Sequence, residues 1–122
     1  MNAPSVLVVD DNSDNRNLAL RMLKVIGTAA ADQAANAQEC LDAVAARSYD
    51  CILMDISMPE VSGVDLCKVL RKMPGFESVR IVACTAHAGQ HDTQRFLDTG
   101  FNDVLTKPFL IADLKRAVWP GA

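Results

Sequence analysis

Asp10, Asp11, Asp55, Thr85 and Lys107 are the residues whose types and placement invite chemistry. Four of them end short apolar runs: Val6-Leu-Val-Val-Asp10, Ile52-Leu-Met-Asp55, Ile81-Val-Ala-Cys-Thr85 and Asp103-Val-Leu-Thr-Lys107. Such near-continuous runs fit central parallel strands covered on both faces. In an open α/β sheet the ligand crevice lies beyond the carboxyl ends of the strands, so all four positions converge there. Three carboxylates in one crevice repel: two unit charges about 4 Å apart cost about 4 kcal/mol at an effective dielectric of about 20. A cluster of that kind needs a cation, and an all-oxygen donor set suits Mg2+. Lys107 adds a fixed positive charge and Thr85 a hydroxyl donor. Nucleophilic oxygen, metal, lysine and donor together are what phosphoryl transfer requires.

Taken singly, each residue has a plainer explanation. An Asp-Asp pair commonly forms a solvated turn or a helix cap, a threonine at a strand end is commonly structural, and Lys-Pro-Phe is a common loop. The joint placement carries the chemical reading.

The elements that must position these residues alternate along the chain. Leu18, Met22, Val25 and Ile26 recur at helical spacing between a start near Ser13 and a stop at Gly27. Asn36 with Glu39 opens a second helix, with Cys40, Leu41 and Val44 on its face. Ser62-x-x-Asp65 opens a third, which carries Leu66, Cys67, Leu70 and Met73 and ends before Pro74. A fourth starts near His91, carries Phe96 and Leu97, and stops at Gly100; a fifth carries Ile111, Leu114 and Val118. Thr28 to Ala34 is alanine-rich and has poor strand propensity. The alternation still demands a strand there, and an edge strand needs less apolar surface. The expected fold is (βα)5: a five-stranded parallel sheet with helices on both faces and right-handed crossovers.

Composition sets the bounds. The 122 residues make one domain, long enough to bury roughly two-thirds of the unfolded surface. Twelve Lys and Arg against 15 Asp and Glu leave a formal charge of −3. No basic run appears, which argues against direct contact with nucleic acid. No apolar stretch reaches the roughly 18 residues of a membrane span, and the amino terminus is not a signal peptide. Cys40, Cys51, Cys67 and Cys84 form no C-x-x-C pair and fall on apolar stripes, as small buried hydrophobes do in a reducing cytosol. A cytoplasmic location is expected.

With these residues in place, the chain resembles the receiver domain of two-component response regulators over essentially its whole length. The motifs are Val8-Val-Asp10-Asp11-Asn12, Leu53-Met-Asp55-Ile-Ser-Met58-Pro59, Thr85-Ala86 and Lys107-Pro108-Phe109. The resemblance implies a flavodoxin-like sheet in the order 2-1-3-4-5, with Asp55 as phosphoacceptor. It implies Mg2+, which Mn2+ can replace, held by Asp10, Asp11, Asp55 and the backbone carbonyl of Ser57. Thr85 and Lys107 would bind the phosphoryl group, Ala86 and His87 would lie in the tuning loop, and Lys107-Pro108 would be cis. His87 falls where receivers gate water and so set phosphoryl lifetime. Val104 departs from the family, which often has an aromatic residue there to relay the switch. Output is then expected through the loops after Asp55 and Thr85.

Asn15-Arg16, and Thr85-Ala-His-Ala88 followed by Asp92, look most like receivers of hybrid histidine kinase systems. The implied phosphodonor is a phosphohistidine on a histidine kinase or a histidine-phosphotransfer protein, and the output is a protein–protein contact with a downstream target. The last helix reaches Trp119, so a stand-alone receiver spanning 1–122, with autodephosphorylation and no output domain, is expected. A receiver fragment of a hybrid kinase or larger regulator is the alternative. An aspartate-nucleophile phosphohydrolase is remote, because its D-x-D pattern is missing; a flavin carrier lacks its phosphate loop.

Overall fold

The computed structural model describes residues 2–87 and 89–121. Strands and helices alternate without exception: β1 (Ser5–Val9), α1 (Ser13–Ile26), β2 (Ala30–Ala34), α2 (Ala37–Ala46), β3 (Cys51–Asp55), α3 (Gly63–Arg71), β4 (Arg80–Thr85), α4 (Gln90–Thr99), β5 (Asp103–Thr106) and α5 (Ile111–Val118). The strands form one sheet in the order β2-β1-β3-β4-β5, and every neighbouring pair is parallel. This is the flavodoxin-like arrangement. The chain runs outward in both directions from β1 and β3, so the order reverses between them and opens a crevice at their carboxyl ends.

The apolar runs explain the layering. All five residues of β3 are buried, and successive side chains point to opposite faces. On one face Leu7, Val9, Ile52, Met54, Ile81 and Ala83 meet Cys40, Leu66, Cys67, Leu70 and Phe96 from α2, α3 and α4. On the other, Val6, Val8, Leu53, Val82 and Leu105 meet Ala19 and Leu23 of α1 and Leu114, Ala117 and Val118 of α5. Each fully buried Leu or Ile contributes about 1.5–3 kcal/mol, so the two faces together fix the sheet between its helices.

Local signals set the helix starts. Asn12 accepts the Asn15 amide at 2.9 Å, Asn36 the Glu39 amide at 2.8 Å, and Ser62 the Asp65 amide at 3.2 Å. Gly27, at φ 93°, closes α1 in the left-handed region that glycine tolerates.

Two expectations about this region change. Strand β2 begins at Ala30 rather than Thr28, because the Thr28 amide is still used by α1, donating to the Leu23 carbonyl at 3.3 Å. The α1 stripe is only partly as expected: Met22 and Ile26 pack against the core beside the buried Ala19 and Leu23, while Leu18 is 52% and Val25 72% exposed. Leu18 and Met22 also line the mouth of the crevice. Asp32 keeps the weak edge strand in place by accepting Tyr49 Oη at 2.6 Å and Arg47 Nη1 at 2.8 Å. No helix among the described residues is long and apolar enough to cross a membrane.

Candidate functional site

Strand ends bring the acids together. Asp10 follows β1 directly, Asp55 is the last residue of β3, and β1 and β3 are hydrogen-bonded neighbours. Asp10, Asp11 and Asp55 each offer a carboxylate oxygen, and these oxygens lie within 4.8 Å of one another. Asp10 and Asp55 are buried, whereas Asp11 is exposed.

Lys107, just past β5, reaches into the same crevice. Its Nζ donates to Asp10 Oδ2 and to Asp55 Oδ1, both at 3.0 Å. Its backbone amide donates to the Thr85 carbonyl at 2.8 Å, which ties β5's end to β4's. The Lys107-Pro108 peptide is cis. Asp10 Oδ1 is held from behind by the Asn12 amide at 2.9 Å. The Ser57 amide makes a longer contact to Asp55 Oδ1, at 3.4 Å.

The electrostatics are unbalanced. Three carboxylates face one ammonium, so the crevice carries an excess of negative charge in a partly buried setting. Burial pushes the Asp55 carboxyl above its ordinary value, and the neighbouring Asp10 charge adds to this; the Lys107 hydrogen bond opposes it without cancelling it. Burial pulls the Lys107 ammonium down, but its hydrogen bonds to Asp10 and Asp55 outweigh that and leave it raised. Both directions describe a site short of positive charge. The oxygen-only donors and their spacing fit a hard dication such as Mg2+.

Thr85 ends β4 in register with Thr106 and is buried at the crevice edge. Its hydroxyl is turned into a local loop, donating to the His87 carbonyl at 3.0 Å and accepting the His87 amide at 3.2 Å. Among the described residues it bonds to none of the acids. Ala86 and His87 are exposed in the β4–α4 loop, and Ala88 lies outside the described residues. Val104 sits on β5 opposite Ala83, half-buried against the cluster that contains Phe96 and Phe101. The four cysteines are free and buried. Burial pushes the Cys40, Cys51 and Cys84 thiols up to about 12, so they are not nucleophiles near neutral pH.

Residue-type reasoning passed over Gly63. A Cβ at this position would lie 2.2 Å from the Asp55 carbonyl oxygen and 2.9 Å from Ile56 Cα. Its amide donates to the Ile56 carbonyl at 3.0 Å, so the start of α3 presses directly on the strand that bears the acceptor candidate. The available signal was a glycine in the first turn of a helix, where its backbone entropy is a cost without a tight approach to justify it.

Known proteins resemble this chain in both fold and sequence. The chain matches the family model of the response regulator receiver domain over residues 6–119. It is 39% identical over 113 residues to an uncharacterized 14.6 kDa protein of Leptolyngbya boryana, covering 93% of this chain and 86% of that one. It is 36% identical to part of the osmosensing histidine protein kinase SLN1 of Saccharomyces cerevisiae, covering 90% of this chain but only 9% of the kinase. Among solved structures, the receiver domain of the sensor histidine kinase PA1611 from Pseudomonas aeruginosa superposes with a TM-score of 0.84 at 32% identity, covering 95% of this chain and 94% of that one. That structure has a magnesium ion coordinated in its active site cleft. The chemotaxis response regulator CheY4 of Vibrio cholerae superposes with a TM-score of 0.86 at 26% identity, covering 96% and 99% of the two chains. Acids, lysine and switch-point crevice therefore sit on a known scaffold, and this chain belongs to the response regulator receiver domain family.

Proposed function

We propose that this domain accepts a phosphoryl group on Asp55 from a phosphohistidine, carried by a histidine kinase or a histidine-phosphotransfer protein, in a Mg2+-dependent reaction. The observation that carries the reading is the shared grip of Lys107 on Asp10 and Asp55, at 3.0 Å each, inside a crevice with acid oxygens 4.8 Å apart or less. Asp10, Asp11, Asp55 and the Ser57 carbonyl would hold the ion. When bound, Mg2+ supplies the charge neutralisation that lets a phosphoryl group approach three carboxylates.

The chain's own residues divide the remaining work. An Asp55 carboxylate oxygen attacks phosphorus in line with the phosphorus–nitrogen bond of the donor, whose electron pair returns to the imidazole. Lys107 keeps one Asp55 oxygen oriented and meets the charge on the transferred group. Thr85 turns its hydroxyl from the His87 carbonyl towards a phosphoryl oxygen. Losing that bond loosens the loop leading to α4, which is how the modification reaches the surface with Val104 in place of an aromatic relay. Water then returns the acyl phosphate to aspartate, with His87 at the rim controlling access. Output is a contact with a downstream protein. The reducing cytoplasm suits four free thiols.

The similarity to histidine kinases favours one variant of this reading, a receiver working as one segment of a hybrid kinase. The site chemistry is the same in both.

Incubation with acetyl phosphate and Mg2+, followed by intact-protein mass spectrometry, tests the proposal. The wild type should gain one phosphoryl group, and Asp55→Asn should gain none. Label retained by that variant overturns the acceptor assignment. Labelling that persists in excess chelator overturns the metal assignment.

A further inference from the structure

The first turn of α1 carries a side chain to which the chemistry above gives no part. Arg16 folds back over the end of β1, and its Nη1 donates to the Asp10 carbonyl oxygen at 2.9 Å. Its Nε donates to Gln33 Oε1 on β2, also at 2.9 Å. The Asp10 amide donates to the Ala34 carbonyl at 3.1 Å. Both backbone groups of Asp10 are therefore tied to the end of β2, one directly and one through Arg16.

The carboxylate of Asp10 has its own partners, the Asn12 amide at 2.9 Å and Lys107 Nζ at 3.0 Å. Asp11 is different. It is exposed, and its backbone follows the Asp10–Asp11 peptide plane, which sets the direction from which its carboxylate reaches the crevice. A planar guanidinium with donors in a fixed fork can lock that plane against Gln33, whereas a lysine has one mobile ammonium.

We propose that Arg16 is a positioning residue that clamps the Asp10–Asp11 peptide to β2 and so preorganises the two acids for a divalent cation. This rests on reading the acid cluster as a cation site. It also gives edge strand β2, whose apolar residues are all alanine, a part in the site.

The opposing explanation makes the opposite prediction. Were Arg16 acting only as a nearby positive charge, removing it would tighten cation binding by relieving repulsion. A clamp works the other way: second-shell partners of metal ligands typically alter affinity by about 10-fold or more.

Mn2+ titration of the full chain, followed by electron paramagnetic resonance of the free ion, separates the two. Arg16→Ala should bind Mn2+ about 10-fold more weakly than wild type. Arg16→Lys should also weaken binding, despite its retained charge. Gln33→Ala should weaken it by a smaller factor, and the double variant should be no worse than Arg16→Ala. Thermal melts of the metal-free proteins accompany the titrations; if Arg16→Ala does not fold, Gln33→Leu removes the clamp's far anchor without touching α1. Unchanged or tighter binding in Arg16→Ala, or full affinity in Arg16→Lys, overturns the clamp. A wild type that binds no Mn2+ overturns the cation site itself, and the clamp with it.

Discussion

Replacing Asp55 by asparagine removes one negative charge from the crevice while leaving the shape of the side chain almost unchanged. The acid oxygens lie within 4.8 Å of one another, and at that separation each like-charge pair costs about 3 to 4 kcal/mol at an effective dielectric of about 20. The Lys107 contact, at 3.0 Å, returns about 5 kcal/mol on the same scale. The variant thus sheds two repulsions and one attraction, together with the burial cost of a carboxylate. Asp11 is exposed and its share is screened by solvent, which leaves a net stabilisation of about 1 kcal/mol. The direction of the Asp55 shift agrees, since burial raises its pKa above 3.8. An acid whose pKa is raised by folding binds its proton more tightly in the fold than in the unfolded chain. Its contribution is most favourable below the unfolded pKa and falls as pH rises through the folded value. Asparagine does not titrate, so the variant should melt higher than wild type at neutral pH. The gap should close as the pH approaches about 4. For a domain of this size about 1 kcal/mol corresponds to about 3–5 °C in Tm. Calorimetry in chelator across that pH range is the assay. A variant that melts below the wild type at neutral pH, or a gap that ignores pH, refutes the charge argument.

Two further substitutions probe the frame around the site. Gly63→Ala places a methyl group 2.2 Å from the Asp55 carbonyl oxygen, and the β3–α3 turn must shift to admit it. The expected loss is about 2–3 kcal/mol in denaturant titration, and a neutral result would show that the turn yields freely. Arg71 donates to the carbonyls of Gly100, Phe76 and Val79 and to Asn102 Oδ1. Arg71→Met removes all of these bonds at once and should cost about 2–4 kcal/mol; a loss under about 1 kcal/mol would mean that water takes over the carbonyls.

The parts of this molecule legible in its sequence are those that a single local rule controls. Near-continuous apolar runs identify β1, β3 and β4 because a strand buried on both faces has little room for polar residues. Strand β5, at the sheet edge with only Leu105 buried, is marked by a shorter run. Asn36 with Glu39 and Ser62 with Asp65 identify helix starts because orphan amides need nearby acceptors, and both caps form as the spacing suggests. The placement of Asp10, Asp55 and Lys107 at strand ends follows from the same runs. Where two rules compete, the sequence is less clear. Leu18 and Val25 fit a helical stripe as well as Ala19 and Leu23 do, but small Ala19 lets α1 lie close to the sheet, and this turns Leu18 outward to the crevice. Thr28 reads as the start of a strand until the end of α1 takes its amide. Gly63 and Arg16 act largely on backbone atoms, the Asp55 and Ile56 backbone and the Asp10 carbonyl, so their residue types mark a position without naming what it touches. The turn that holds the Thr85 hydroxyl against His87 is likewise a matter of one torsion, invisible in composition.

The ammonium that balances the acids sits 52 positions beyond Asp55 and 97 beyond Asp10. A chain emerging from the ribosome therefore exposes all three aspartates well before the lysine that steadies them. Until β5 docks against β4, that half-built sheet has a surplus of negative charge at its open end and no internal remedy. The last strand to be synthesised is thus the one that completes the crevice, and chemical competence becomes a report that the whole sheet has closed.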